Sequence, residues 1–323
     1  MEPSVAIVGA GVSGLTCAVL LAESGCRTVI LAAETGAQTT SAAAAAIWYP
    51  YDAEPFDAVI AWSLTTYDQL RELARDANTG VTMIELRQFA RKGAPPIPDW
   101  ALKLGARELQ RAETPAAFSA GFALTVPLTD TSIYLDYLAS RFTRAGGEIH
   151  AGIHLNSLDQ IDARFRTIIN CSGVGARSLV SDYEVEPHRG QVVLVSPLRL
   201  AHAIVCDDAP LMYAIPRASD CVFGGTNKVS DDRNTDPSDT ETIIEECSHV
   251  LALESPPRVI ATRVGLRPFR RSGVRLETER LRDDRIVIHN YGHGGSGFTL
   301  SWGCARDVLD LLTHALQSER CAD

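Results

Sequence analysis

The chain has 323 residues, 46% of them hydrophobic and 22% charged, which is enough apolar material for a large buried core and, on ordinary domain sizes, for two lobes. Its formal net charge of −10 weighs against nucleic acids and anionic membrane surfaces, because binding to phosphate backbones is driven by clustered Lys and Arg. No apolar run reaches the roughly eighteen residues of a spanning helix, so the expected partner is a small molecule.

Met1-Glu2-Pro3 leads into the first strand without the basic segment of a secretory signal, and a cytoplasmic protein is expected. Val5 to Val8 is a continuous apolar run, followed by Gly9, Gly11 and Gly14 and by a helical stretch from Leu15 to Glu23 that stops near Gly25. Thr28 to Leu31 is the next strand. Together they form a βαβ unit, whose parallel strands imply a doubly wound sheet. Thr39 to Ala46 is rich in Thr and Ala, either a segment over which backbone can approach a ligand or the start of an Ala-rich helix. Asp57 to Ala74 has helical spacing after Pro50 and Pro55. Pro95, Pro96 and Pro98 mark a loop, and Ser132 is placed to cap a helix running to Phe142.

Ile149 to Ile153 and Thr167 to Asn170 read as strands. The second ends in the small-residue turn Asn170 to Gly175, at the end of a strand where open α/β sheets bind ligands. Gln191 to Val195, Leu211 to Ile215, Cys221 to Gly224 and Val259 to Val264 are short strands with little helix between them, which suggests a largely antiparallel sheet. Arg285 to His289 is a further strand, and four glycines then lead into a helix from about Thr299 to Leu316.

Gly9, Gly11 and Gly14 have the spacing of a dinucleotide turn: one glycine for the tight turn, one for approach of the pyrophosphate, one for helix–strand packing. Glu34 follows the second strand at the position of a ribose-hydroxyl acceptor. The turn suits NAD as well as FAD. The run His289 to Gly297 feeds a helix start that would stabilise negative charge on a reduced flavin ring, but it also reads as an anion nest without a cofactor, and these residues alone leave both open. Eight cysteines show no CxxC spacing, so no metal or redox dithiol is expected.

The string HNYGHGGSGFTLSWGCA (His289 to Ala305) resembles the C-terminal signature of the D-amino-acid oxidase family. Val264 to Arg270 is similar to its substrate-arginine motif, and Thr39 to Ala43 with Ile47 to Tyr51 is similar to its flavin-proximal segment. Asn170 to Val174 and Arg189-Gly190-Gln191 match further landmarks in the same order. The resemblance implies an α/β protein with a Rossmann-like FAD-binding domain made of residues 1–50, 130–185 and 268–323. An interleaved substrate-binding domain, residues 51–129 and 186–267, would contain the largely antiparallel sheet.

FAD would be held non-covalently by Gly9, Gly11, Val12, Ser13 and Gly14, by Glu34, and by Thr39, Thr40, Ser41 and Ala42. Val174 and the run Gly292, Gly294, Gly295, Ser296, Gly297, Phe298 and Thr299 would complete its site. Arg267 would grip the substrate carboxylate, Tyr213 would donate to the same group, and Gly295 would offer its carbonyl to the amine. Trp48, Ile47 and Tyr49 would line the flavin side, whereas His289 and His293 are not needed as bases.

The activity implied is oxidation of a D-amino acid by O2 to an imino acid and H2O2, the imine hydrolysing to a 2-oxo acid and ammonia. Departures from the pattern bear on the substrate. Animal members carry a tyrosine in a longer lid where this chain has Ala209, so the lid is expected to be reduced. Members that prefer acidic substrates have an arginine after Gly-Gly-Thr, where this chain has Asn227 and Lys228, with Arg217 as a substitute cation. Neutral side chains are therefore favoured, with D-aspartate oxidase and glycine or sarcosine oxidase as rivals. An NAD-dependent dehydrogenase and a structural FAD scaffold are the more distant alternatives. The C-terminus lacks a Ser-Lys-Leu address, in keeping with a cytoplasmic setting, and a homodimer is the assembly considered.

Overall fold

The computed structural model describes residues 4–320; Met1 to Pro3 and Cys321 to Asp323, which carry the address readings, lie outside the described residues. β1 (Ser4–Val8), α1 (Val12–Glu23) and β2 (Arg27–Ala32) open the chain. Next come α2 (Phe56–Leu73), β3 (Val81–Ala90), α3 (Asp99–Lys103), β4 (Arg107–Glu108), β5 (Ala120–Thr129) and α4 (Thr131–Arg144). β6 (Glu148–Ala151), β7 (Thr167–Asn170), α5 (Ala176–Leu179), β8 (Val185–Val195), β9 (His202–Cys206) and β10 (Met212–Pro216) follow. β11 (Cys221–Gly224), β12 (Lys228–Val229), α6 (Pro237–Val250), β13 (Val259–Arg270), β14 (Arg275–Arg280), β15 (Ile286–Tyr291) and α7 (Gly297–Arg320) complete it.

Two sheets result. The first has the order β14-β15-β7-β1-β2-β6, parallel throughout except for the edge strand β14. Its strands are apolar on both faces because both faces are covered. Val5, Ile7, Ile169, Ile286 and Ile288 enter one core beneath α1 and α7, while Ala6, Val8, Ile168 and Val287 enter a second core with Leu158 and Phe165. β1 lies between β2 and β7, so the chain leaves it in opposite directions, and a crevice opens at the carboxyl ends of these strands.

The second sheet runs β12-β8-β11-β10-β9-β3-β5-β4, with β13 also paired to β8. It is antiparallel except for the β3–β9 pair. β13 extends beyond the expected Val264 to Arg270, its register running from Val259 opposite Val195 to Arg270 opposite Val185. That extension places Arg267 on a regular strand opposite His188, and the lobe boundary expected between residues 267 and 268 falls inside it.

One cap differs from expectation. Asp130, not Ser132, caps α4: its carboxylate accepts from the Ser132 amide at 3.0 Å and from the Ser132 hydroxyl, so the cap lies two residues earlier than expected. No helix among the described residues is long and apolar enough to cross a membrane.

Candidate active site

The crevice at β1, β2 and β7 continues as one cavity of about 570 Å³ to the second sheet, a size typical of cofactor and ligand clefts. At its first end, the β1–α1 turn folds as close approach requires. Gly9 has φ +106°, and a Cβ there would meet the Cys171 carbonyl oxygen at 2.5 Å. A Cβ on Gly14 would lie 2.0 Å from the Gly9 oxygen. Gly14 therefore lies outside the cavity wall and serves helix–strand contact, while Gly9, Gly11, Val12 and Ser13 face the cavity. The Val12 amide at the start of α1 donates to Ser41 Oγ at 2.9 Å, and the helix N-terminus is aimed where a pyrophosphate is favoured.

Thr39, Thr40 and Ser41 line the same end, as does Val174 in the turn after β7. Ala42 does not. Its carbonyl instead accepts from Thr131 Oγ1 at 3.2 Å and from Arg263 at 2.9 Å, anchoring the segment from behind. Glu34 lines the cavity and is paired bidentately with Arg233, at 2.5 and 2.9 Å. The hydrogen bond from Arg233 holds the Glu34 carboxyl below its ordinary range. Arg233 arrives from beyond β12, and sequence reasoning missed it because nothing local marks it.

Gly294, Gly295, Gly297, Phe298 and Thr299 line the cavity as well. Gly292 and Ser296 stand behind it. Gly292 has φ +88° and packs on the Arg270 side chain, whereas buried Ser296 accepts from the Tyr51 amide at 2.8 Å and donates to the Tyr51 carbonyl. Thr299 Oγ1 makes the equivalent pair with Tyr49, at 3.2 and 3.1 Å, so the start of α7 clamps residues 49–51.

That clamped segment is extended, and alternate side chains leave it on opposite sides. Ile47, Tyr49 and Tyr51 face the cavity. Trp48 does not line it, contrary to expectation: it is 1% exposed, donates to the Ser63 carbonyl at 2.9 Å and packs edge-on against Tyr67 and Trp100.

At the other end, Tyr213 on β10, Arg267 on β13 and Gly295 before α7 come together. Arg267 donates to the Thr226 carbonyl at 2.8 Å and to Asn227 Oδ1 at 3.5 Å, with no carboxylate in ion-pair reach among the described residues. Glycines on neighbouring strands clear the space for these two side chains. A Cβ on Gly190 would lie 2.4 Å from the Arg267 guanidinium carbon, and one on Gly224 would lie 2.0 Å from the Tyr213 ring. Burial raises the Tyr213 phenol above its ordinary range, and the adjacent Arg267 opposes that rise. A half-buried guanidinium without a counter-ion, beside a phenol held in its donor form, has the chemistry to receive a carboxylate.

The remaining polar candidates are committed elsewhere. Arg217 pairs with Asp220 at 2.7 and 2.9 Å and is 4% exposed, so it reaches neither cavity nor solvent. Lys228 pairs with Asp239 at 2.6 Å. His289 is held between Asn170 at 3.2 Å and Glu279 at 3.0 Å. His293 lines the cavity, but its Nε2 meets Asn290 Oδ1 at 3.0 Å and burial lowers its pKa to about 4. Tyr51 and Asp207 are wall residues to which sequence reasoning gave no part; Tyr51 sat at the end of a segment already singled out, while Asp207 had no signal at all.

A dinucleotide cradle at the switch point of a parallel sheet, continuous with a cavity that holds an uncompensated guanidinium on an antiparallel one, is the arrangement of a dinucleotide-dependent oxidoreductase. Comparison with known proteins narrows this. Residues 4–311 match the family model described as FAD dependent oxidoreductase. The chain is 39% identical over 314 residues to a D-amino-acid oxidase of Rubrobacter xylanophilus, covering 96% of each chain. It is 38% identical over 318 residues to one of Streptomyces coelicolor, covering 96% of this chain and 97% of that one. Among solved structures, a glycine oxidase from Bacillus cereus superposes with a TM-score of 0.79 at 19% identity, over 97% of this chain and 96% of that one, a likeness of fold. The chain belongs to the D-amino-acid oxidase family of FAD-dependent oxidoreductases, and its cofactor is FAD.

Proposed function

We propose that the protein oxidises D-amino acids lacking a side-chain acid, R–CH(NH3+)–COO− plus O2 giving R–C(=NH2+)–COO− plus H2O2, with water then converting the imine to a 2-oxo acid and ammonium. The observation that carries this reading is the Arg267 guanidinium, held by a backbone carbonyl and an amide oxygen, without a counter-ion, in the cavity that also contains the dinucleotide cradle.

Arg267 and Tyr213 bind the α-carboxylate, and the Gly295 carbonyl accepts from the α-amine. Fixing these two substituents leaves two positions for the hydrogen and the side chain, and the wall of Tyr49, Tyr51 and Leu211 supplies the third constraint that selects the enantiomer and orients the C–H bond. The turn Gly9 to Ser13, Glu34, Thr39 to Ser41, Val174 and the residues Gly294 to Thr299 that face the cavity are the groups that would hold FAD. When bound, FAD supplies the acceptor for the two electrons of the C–H bond and returns them to O2. The ammonium proton leaves to solvent, since His293 is engaged with Asn290 and His289 lies in the interior between Asn170 and Glu279.

Acidic side chains are disfavoured because Arg217 is paired with Asp220 away from the cavity and Lys228 is held by Asp239. The β9–β10 connection is only Asp207 to Leu211, too short to form an extended lid. The setting implied is the cytoplasm, where the free thiols of Cys17, Cys171 and Cys304 stay reduced. An H2O2-coupled assay over D- and L-amino acids, glycine and sarcosine tests the reading. It predicts turnover of neutral D-amino acids; preference for sarcosine or glycine, or for L-enantiomers, overturns it.

A further inference from the structure

Asp207 stands in the β9–β10 connection on the cavity wall, with Tyr49, Tyr51, Leu211, Tyr213 and Arg267. It is exposed there, so a ligand can reach its carboxylate. Among the described residues no Lys or Arg forms an ion pair with it. The groups around it are the Tyr49 phenol, which engages it, and the acids Asp208 and Asp52, while the Arg91 guanidinium, which donates to the Pro210 carbonyl of the same connection at 2.7 Å, is paired with Glu246 at 2.7 Å. Asp208 itself is turned away, accepting from the Arg91 amide at 2.7 Å.

A carboxylate at the edge of a cavity wall, partly desolvated and next to like charges without a counter-ion, is favoured by a ligand that supplies the cation. That loss of hydration raises the Asp207 carboxyl to about 6, which leaves it mostly ionised at neutral pH.

The other requirements of the substrate are already met. With the α-carboxylate on Arg267 and Tyr213 and the amine on Gly295, the wall available to the side chain includes Tyr49, Tyr51, Leu211 and Asp207. The aromatic and leucine surfaces suit an aliphatic stem, and the carboxylate suits a charged tip. We infer that Asp207 is a specificity-determining residue that recognises the side-chain cation of basic D-amino acids such as D-lysine and D-arginine. The inference rests on the oxidase reading above and names the substrate class of that same site.

The test compares D-lysine with D-norleucine, which has the same chain length and no charge, in the wild-type holoenzyme and in Asp207→Asn. The wild type should favour D-lysine in kcat/KM, and the substitution should lower the D-lysine to D-norleucine ratio about tenfold or more, the loss of roughly 1.4 kcal/mol of differential binding. In the wild type, the KM for D-lysine should also fall as pH rises through about 6, because Asp207 ionises there, while that for D-norleucine does not follow it. This profile remains informative if the variant does not fold. A ratio unmoved by the substitution, or parallel KM profiles for the two substrates, overturns the role of Asp207 while leaving the oxidase reading intact. Absence of H2O2 from either substrate with FAD bound contradicts the oxidase reading and this inference together.

Discussion

The two ends of the cavity use glycine for opposite purposes. At the β1–α1 turn, Gly9 and Gly14 let backbone touch backbone: their absent side chains bring the Gly9 oxygen, the Cys171 carbonyl and the first turn of α1 into a space no Cβ could share. At the far end, Gly190, Gly224 and Gly225 let side chains pass, since the Arg267 guanidinium and the Tyr213 ring occupy the volume their Cβ atoms would take. The first end is centred on one contiguous turn that presents backbone amides, so the precision of its core comes from local geometry. The second is an assembly of β8, β10, β11 and β13, and its precision comes from the register of a sheet. A cofactor common to many proteins can be served by the first device; on the proposed function, selectivity for a substrate is set by the second.

Substitutions at these glycines separate the two devices. Gly14→Val carries the largest expected effect: with even a Cβ placed 2.0 Å from the Gly9 oxygen, the turn must open, at ~3 kcal/mol or more. The variant should melt well below wild type and purify with little flavin absorbance; a fully flavinated variant with unchanged melting would show that the turn is not under this constraint. Gly190→Ala should act more narrowly. Its methyl would lie 2.4 Å from the guanidinium carbon, displacing Arg267 from Thr226 and raising the substrate KM about tenfold, ~1.4 kcal/mol, with flavin content unchanged. Loss of flavin from this variant, in place of a KM effect, would mean that the two ends are not independent.

The same contrast explains what was legible in the sequence. Gly9, Gly11 and Gly14 lie between an apolar strand and a helix, and that arrangement is fixed by neighbours in the chain, so the cradle could be read directly. The parallel sheet was legible for a related reason: strands buried on both faces have to be continuously apolar, as Val5 to Val8 and Ile286 to Ile288 are. Arg267 and Tyr213 were found through a resemblance, because no local pattern distinguishes an arginine on β13 that faces a cavity from one that faces water.

Where tertiary contacts decide, the residues alone were insufficient. Trp48 and Tyr49 are adjacent and both aromatic, yet one is core and the other cavity wall, a choice made by the alternation of an extended segment clamped by Ser296 and Thr299. Arg233 meets Glu34 across 199 positions, and Asp207 reaches the site from a five-residue connection; neither contact has a sequence signal. Ser296 and Ala42 illustrate the converse, since both sit in motifs full of cavity residues but turn their polar atoms backward to hold the segments that line it.

The central claim is that the guanidinium on β13 binds the carboxylate of the substrate. It is tested most directly by steady-state kinetics of Arg267→Leu on a neutral D-amino acid, alongside the flavin spectrum of the same preparation. The account predicts a loss of about 10³-fold in kcat/KM, near 4 kcal/mol, with FAD still bound in full. A saturation curve indistinguishable from wild type would contradict it.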